Sequence, residues 1–318
     1  MKTTEMRATV RMNRSGVYCI LVAMLFSIMA ASGCTVNRMS LLIREPAAAP
    51  VKASDVKTYP SFKELRAPWR LEGMISAYTL PIASNSAAKR EALIRETVAG
   101  LGVDALVGLQ QHVGENLKRT SRSVAILART GAGVQAKADA APKFIVCMPH
   151  ASVKIDKTQA TDDLDQYLLE HVQFSFSYMK GYYVYRCDTP GVNEGSLLQG
   201  SVDPQTLSES IGITPDYVLL SEIQGYDEKG NIVVHRSFTL KLALALYDLK
   251  EKKKVWSNST IGISHQTIIG TILTFGFSET TGVADELQTV RSALDRAMDS
   301  LPAVAGFRRG DVSPQDRK

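Results

Sequence analysis

The sequence predicts an α/β chain of the α+β kind, built from two small two-layer domains, the second a mixed sheet packed with about three helices. Two observations carry that reading. Residues 66–130 run strand, helix, strand, strand, an order that makes a small two-layer unit with one helix. Residues 143–303 begin with strand, helix, strand in a right-handed crossover, then pass into a run of period two, where Phe238, Leu240, Leu242, Leu244 and Leu246 alternate with Thr239, Lys241, Ala243 and Ala245. Between the two lies a Gly- and Ala-rich stretch, Thr130 to Lys143, ending in Pro142, which reads as a linker over 131–142.

The first element is a leader. Lys2, Arg7, Arg11 and Arg14 precede an apolar run from Val17 to Ala31. That run is shorter than the roughly 20 residues a spanning helix needs, and it closes on small residues rather than on a charged stop, so residues 1–33 read as a cleaved export signal. Its last residues, Ala31-Ser32-Gly33-Cys34, resemble the lipobox of bacterial lipoproteins, with Ala31 where members usually carry Leu. The resemblance implies cleavage between Gly33 and Cys34 and a diacylglycerol on the Cys34 sulfur. Acyl chains stabilise membrane attachment by about 0.8 kcal/mol per buried methylene. Thr35, in place of the Asp that retains such proteins on the inner membrane, implies the outer membrane.

The leader also carries most of the charge. The whole chain has 37 Lys and Arg against 32 Asp and Glu, and removing four bases and one acid leaves a near-neutral remainder of about +2. That surface offers no electrostatic footprint for nucleic acid. Residues 34–65, with Pro46, Pro50, Pro60 and no apolar period, read as a flexible tether lifting the folded part off the membrane.

In the first domain, Arg70 to Tyr78 is a candidate strand closed by Pro81. Ser86 is placed to cap a helix with Ala87, Leu93, Ile94, Val98 and Leu101 at helical spacing, and Gly100 and Gly102 to end it. Val103 to Gln110 and Ser123 to Ala128 supply the remaining strands. The segment Ala99-Gly-Leu-Gly-Val-Asp-Ala-Leu-Val-Gly-Leu-Gln110 resembles the helix-to-strand modules of envelope-stress lipoproteins and of small heavy-metal-binding-like domains, which implies a sensor as an alternative role. His112 is the sole candidate ligand there, and a lone His makes no metal site, so no metal is expected.

In the second domain, Phe144 to Met148 reads as a buried strand. Thr161 or Asp162 opens a helix with Leu164, Tyr167, Leu168, His171, Val172 and Phe174 near one face, and Tyr182 to Cys187 is the parallel partner strand. Asp203-Pro204 starts a helix carried by Leu207 and Ile211 to Gly212. Asp216 to Gln224 is a strand, 227–231 is the turn that folds it back, 248–254 turns the next strand into Val255 to Ile261, and a last helix spans about 283–301. Residues 304–318 read as a polar tail. The matching text Ile213-Thr-Pro-Asp-Tyr-Val-Leu-Leu-Ser-Glu-Ile-Gln-Gly-Tyr226, Leu240 to Leu246, Tyr247-Asp248, Val255-Trp256-Ser257 and Ala293 to Leu301 resembles the curli-export lipoprotein family and the amino-terminal domain of the TolB translocation protein. Members commonly place Thr-Gly before the Val-Trp pair, where this chain has Glu251-Lys-Lys-Lys254. The resemblance implies an α/β domain serving envelope assembly, secretion or partner recruitment without catalytic residues.

Three further patterns bear on chemistry. Cys147-Met-Pro-His150 places a thiol and an imidazole at a strand's C-terminal end, where active residues of α/β folds gather, so a hydrolase or transferase using Cys147 and His150 is an alternative. Against it, Cys147 and Cys187 are the two internal cysteines of an exported chain, both at the ends of neighbouring parallel strands, and are either a disulfide or two buried thiols. The stretch 263–282 is uncharged until Glu279, and Ile268, Ile269, Ile272, Leu273, Phe275 and Phe277 make it too apolar for an ordinary loop. It reads as a strand continuing into the core, a partner-docking loop or a membrane-inserting element. The acidic pairs Asp162-Asp163 and Glu279 with Asp285 lie near helix starts, where carboxylates favour the dipole, and the Lys252-Lys-Lys254 run suits a solvated hairpin turn that discourages edge pairing. The sequence therefore predicts a non-enzymatic, lipid-anchored envelope protein at the outer membrane, facing the periplasm. Its expected partners are membrane lipid and either an envelope protein or a second copy; no cofactor, nucleic acid or small-molecule substrate is expected.

Overall fold

Two sheets meet on their inner faces: strands covered on both sides are buried throughout, as over Val124 to Ala128 and Ile145 to Met148, and the period-two run Phe238 to Leu246 buries one side. The computed structural model describes residues 37–43, 49–65, 68–79, 87–112, 121–131, 143–154, 160–231, 235–267, 286–304 and 308–312. The chain is α+β, with two six-stranded sheets whose outer faces carry the three longer helices.

The first sheet comprises β1 (Asn37–Ile43), β2 (Lys57–Tyr59), β3 (Trp69–Thr79), β4 (Ala105–His112) and β5 (Ser121–Thr130), together with a strand from the far end of the chain, β12 (Arg308–Val312). Its order is β12-β1-β3-β5-β4-β2, antiparallel except for the β2/β4 pair. Two expectations are corrected here. Within 34–65, read as a tether, Met39, Leu41 and Leu42 of β1 are buried and Phe62 joins the core. Within 304–318, read as a polar tail, β12 pairs Met39 with Val312 and Ile43 with Arg308. Both segments are short strands whose pairing partners lie far away in sequence, so local composition alone could not reveal them.

One face of this sheet carries α1 (Ala87–Ala99), whose Ile94 and Val98 pack with Ile75, Leu106, Ala125 and Leu127. The other face turns Leu42, Met74, Val107, Val124, Ile126 and Ala128 toward the second sheet.

That second sheet comprises β6 (Ile145–Met148), β7 (Ser152–Val153), β8 (Tyr183–Arg186), β9 (Tyr217–Asn231), β10 (His235–Asp248) and β11 (Lys253–Thr267). The order β11-β10-β9-β6-β8 is mixed: β6 is parallel to both β8 and β9, and the β9-β10-β11 meander is antiparallel. The turn expected over 227–231 is instead strand, with Asp227 paired to Thr239 and Asn231 to His235. Asp227 and Lys229 tie together at 2.8 Å on this polar strand end, which resembles a turn in composition and a strand in pairing.

Helix α2 (Ala160–Ser175) follows β7 because Leu164, Leu168 and Val172 recur every fourth residue on a buried stripe. A π-turn, Phe176–Lys180, extends it and buries Phe176. Helix α3 (Glu194–Gln199) is opened by an Asn193 capping box, and α4 (Pro204–Leu207) by the Asp203 carboxylate accepting from the Gln205 N–H, with Pro204 at its first position. The latter helix stops at Leu207, four residues before Ile211, although both Leu207 and Ile211 are buried. The last helix, α5 (Glu286–Met298), lays Val290, Ala293, Leu294, Ala297 and Met298 on the same face of the sheet as α2.

Four layers result, in the order α1, first sheet, second sheet, α2 with α5. The middle interface is one shared core in which Ile145, Cys147, Tyr183, Tyr185, Val218 and Tyr247 meet the inner face of the first sheet. Burying a side chain of this size contributes about 1.5–3 kcal/mol, so the two predicted units are held together by apolar packing rather than by the linker alone.

Candidate functional site

The parallel core of the second sheet positions a cluster of charged side chains at its C-terminal rim. Strand β6 leads through Pro149 to His150, β8 ends at Arg186, and α2 sends Asp165 between them. The Asp165 carboxylate accepts from Arg186 Nη2 at 2.9 Å and from the Ala151 backbone N–H at 2.8 Å, and its Oδ2 lies 2.8 Å from His150 Nδ1. His150 Nε2 lies 3.2 Å from Asp188 Oδ1, and Arg186 Nη1 donates to the Pro149 carbonyl at 3.0 Å. Every polar group in this cluster has a partner on a neighbouring element. Arg186 and Asp165 are largely buried, whereas His150 and Asp188 are exposed, at 67 % and 75 %.

The structure places Cys147 and Cys187 in a disulfide, with Cα atoms 5.7 Å apart and both residues buried. The Cys147 sulfur is thereby a bonded atom of the shared core, on the face that packs against the first sheet. His150 lies outside that core and turns both ring nitrogens to carboxylates. A thiolate activated by His150 needs a free sulfur beside the ring, which this pairing does not provide.

Below the rim, a groove of about 470 Å³ runs over the part of the second sheet that the first does not cover. Leu220 and Glu222 of β9, Ala243 and Ala245 of β10, and Ser257 and Ser259 of β11 form its floor, in the register Glu222–Ala243–Ser259 and Leu220–Ala245–Ser257. Small side chains leave this face flat. At one wall Glu194 meets Lys254 at 2.7 Å, while Lys254 lies 5.7 Å from the Tyr247 ring centroid. The hydrogen bond to Lys254 holds the Glu194 carboxyl below its ordinary value. The lysine run is solvent-exposed, as expected, and Lys253 also pairs with Glu251, at 2.5 Å.

At the opposite rim Asp216 accepts from the N–H groups of Phe144 and Ile145 at 2.8 and 3.0 Å, and burial still pushes its carboxyl above the ordinary range. Asp248 accepts from Lys143 Nζ at 2.6 Å. Burial pushes it up, but the bonds from Lys143 and the Glu251 N–H outweigh that and leave it below its ordinary value. Burial and the nearby carboxylates Asp248 and Asp216 push the Tyr217 hydroxyl up to about 12. Tyr183 and Tyr185, also pushed up by burial, donate to the carbonyls of Gly108 and Leu207 and so bolt the first sheet and α4 to the second. These contacts are architectural.

Other predicted positions disperse. His112 Nε2 lies 3.0 Å from Gln173 Oε1, with no cysteine or histidine cluster beside it. No group of three His, Cys, Asp or Glu suited to a metal ion occurs among the described residues. Gly33 and Cys34, the apolar positions Ile268, Ile269, Ile272, Leu273, Phe275 and Phe277, and Glu279 and Asp285 lie outside the described residues, as do the side chains of Asp162 and Asp163. The first part of the 263–282 stretch is strand: Ile263 pairs with Thr239 and Thr267 with His235. Among the described residues, no helix is long and apolar enough to cross a membrane.

A feature the sequence did not signal is an aromatic cluster where the two halves meet. Tyr78 of β3 makes edge contacts with Phe174 and Tyr178 at 5.7 and 5.3 Å, Phe174 stacks on Tyr178 at 5.4 Å, and the Arg122 guanidinium lies 4.6 Å over the Phe174 ring. Phe174 and Tyr178 lie four residues apart on one helical segment, but Tyr78 is distant in sequence, and only the register of β3 against β5 brings Tyr78 beside Arg122.

No family model and no curated protein matches the chain. Among solved structures, the chain is similar to the lipoprotein GNA1162 of Neisseria meningitidis, at 18 % identity over 50 % of this chain and 100 % of that one, with a TM-score of 0.29. It is likewise similar to the PelC dodecamer of Paraburkholderia phytofirmans, at 13 % identity over 52 % and 92 % of the two chains, TM-score 0.29. A third likeness is to the C-terminal domain of LpoB from Escherichia coli, at 12 % identity over 41 % and 87 %, TM-score 0.22.

Proposed function

We propose that this chain is an exported lipoprotein, anchored through acylated Cys34 to the outer membrane and facing the periplasm, where it binds partners in assembly, secretion or maintenance of the envelope and performs no chemistry of its own. The observation that carries the reading is the export segment: a basic leader, an apolar run too short to span, and Ala31-Ser32-Gly33-Cys34 at its end. Two structural features support the non-enzymatic half. The sulfur of Cys147 is bonded to Cys187, and the charged cluster around His150 is satisfied from within. The flat β9-β10-β11 face, with Ile261 and Ile263 exposed near its rim, is a surface suited to a protein partner.

Copurification after mild crosslinking from intact cells, with Cys34→Ala as control, tests it. Envelope proteins should be captured by the wild type and lost or redistributed in the variant. A protein that remains monomeric at the membrane and captures nothing counts against it.

A further inference from the structure

From the spacing between Cys34 and the first strand, we infer that the Tyr78–Phe174–Tyr178 end of the molecule sits directly on the lipid surface. The inference rests on the reading of Cys34 as the acylated residue and adds to it the face that meets the membrane.

Only Thr35 and Val36 separate Cys34 from Asn37, where β1 begins. Three residue steps of fully extended chain reach about 10 Å. A tether of thirty-odd residues would let the body tumble in the periplasm, but a strand starting this close leaves the Asn37 end of the first sheet no such freedom. The ladder identifies what is there. Asn37 and Arg38 pair with Thr79 and Tyr78, these pair with Ser121 and Arg122, and Arg122 pairs in turn with His112. Directly cross-strand Cα atoms lie about 4.5–5.5 Å apart, so Tyr78 is one strand away from the anchor-bearing strand.

The chemistry at this end suits the headgroup region. Tyr78, Phe174 and Tyr178 are half-buried, Met179 beside them is 41 % exposed, and Arg122 supplies a cation over Phe174. Tyrosine rings with one apolar and one wet end gather at membrane–water interfaces, the exposed thioether of Met179 adds an apolar contact, and the half-buried Arg122 guanidinium, 3.2 Å from His171 Nδ1, adds positive charge to this end. The opposite end of the same sheet differs in position by about 30 Å, the nine steps of β3 from Tyr78 back to Trp69. Pro68, exposed just before β3, marks that far end.

The test uses the full chain made with its leader, extracted from membranes and reconstituted in phosphatidylethanolamine–phosphatidylglycerol vesicles that carry a headgroup nitroxide lipid. Met179→Cys and Pro68→Cys variants each add one reactive thiol for a fluorophore, since Cys147 and Cys187 are bridged and Cys34 is acylated. Intact mass of the same samples reads the acylation. Acylated Cys34 with most of the Met179→Cys emission quenched and the Pro68→Cys emission unchanged is the expected result. Acylated Cys34 with Pro68→Cys quenched as strongly as Met179→Cys, or more so, overturns the orientation and leaves the anchor standing. A Cys34 without acyl mass overturns the anchor and the orientation together. Hydrogen exchange over 174–180 in the unsubstituted protein, slower on vesicles than in detergent, gives the same reading without a new side chain; equal exchange in both counts against the seated end.

Discussion

Gly262 shows how much of this architecture hangs on single atoms. It lies in β11 where α5 crosses, and a Cβ there would overlap the Thr289 carbonyl oxygen and come within 2.9 Å of the Ala293 backbone nitrogen and side chain. Gly262→Val should push α5 off the sheet and cost about 1–3 kcal/mol in urea unfolding. Gly73 has a different constraint: its φ of +157° sits at the bulge of β3 against β5, and a Cβ would run into the Leu42 carbonyl of β1. Gly73→Ala should therefore loosen β1 specifically, seen as faster hydrogen exchange over 37–43 than over 121–130. The two buried carboxylates act on stability in opposite pH windows. Asp248 is held below its ordinary 3.8, so its contribution is present above that value and fades as pH falls through the lower folded value. Asp216 is held above 3.8, so its folded state binds the proton more readily and its contribution weakens as pH rises through the raised value. Lys143→Met should remove the Asp248 effect and cost roughly 1.5–3 kcal/mol at neutral pH, the range of a hydrogen bond to a charged group; unchanged acid unfolding would refute this assignment.

At the scale of elements, the regular strands and the long helices were legible in the sequence and the joins were not. The period-two run Phe238 to Leu246 lies within β10, and the crossover from β6 through α2 to β8 is parallel as the pattern implies. The misread segments share a cause: their structure is set by distant partners. β1 has Arg38 and Ser40 among its apolar residues and prolines downstream, and it becomes a strand because β3 and β12 flank it. Residues 227–231 carry turn-like composition yet continue a hairpin whose register is fixed by the buried face of β10. Of the candidate site, the sequence brought out Cys147, Cys187 and His150 but not Asp165, which reaches His150 from the crossover helix, or Arg186, which bonds Asp165 from the far strand. The disulfide closes a separation of 40 residues around that crossover. Replacing both cysteines by serine should lower stability by up to about 4 kcal/mol in the chain-entropy account, with the β6/β8 pair and the first turns of α2 loosening most in hydrogen exchange.

For the whole molecule, the shared core between the sheets decides how the protein is presented. On the proposed anchor at Cys34, a single four-layer body whose first strand starts three residues on, at Asn37, would be a seated block rather than beads on a tether, with the β9-β10-β11 face in a fixed relation to the membrane plane. Differential scanning should then show one cooperative transition for both sheets, whereas independent units would melt separately. The central claim is that Cys34 holds this block on the membrane, and the most direct measurement is intact mass of the protein extracted from cell membranes. The expected chain starts at Cys34 and is heavier than its sequence by a diacylglycerol and a further acyl chain, with Cys34→Ala released from the membrane fraction. A chain that starts elsewhere, or that starts at Cys34 with no added acyl mass, would contradict it.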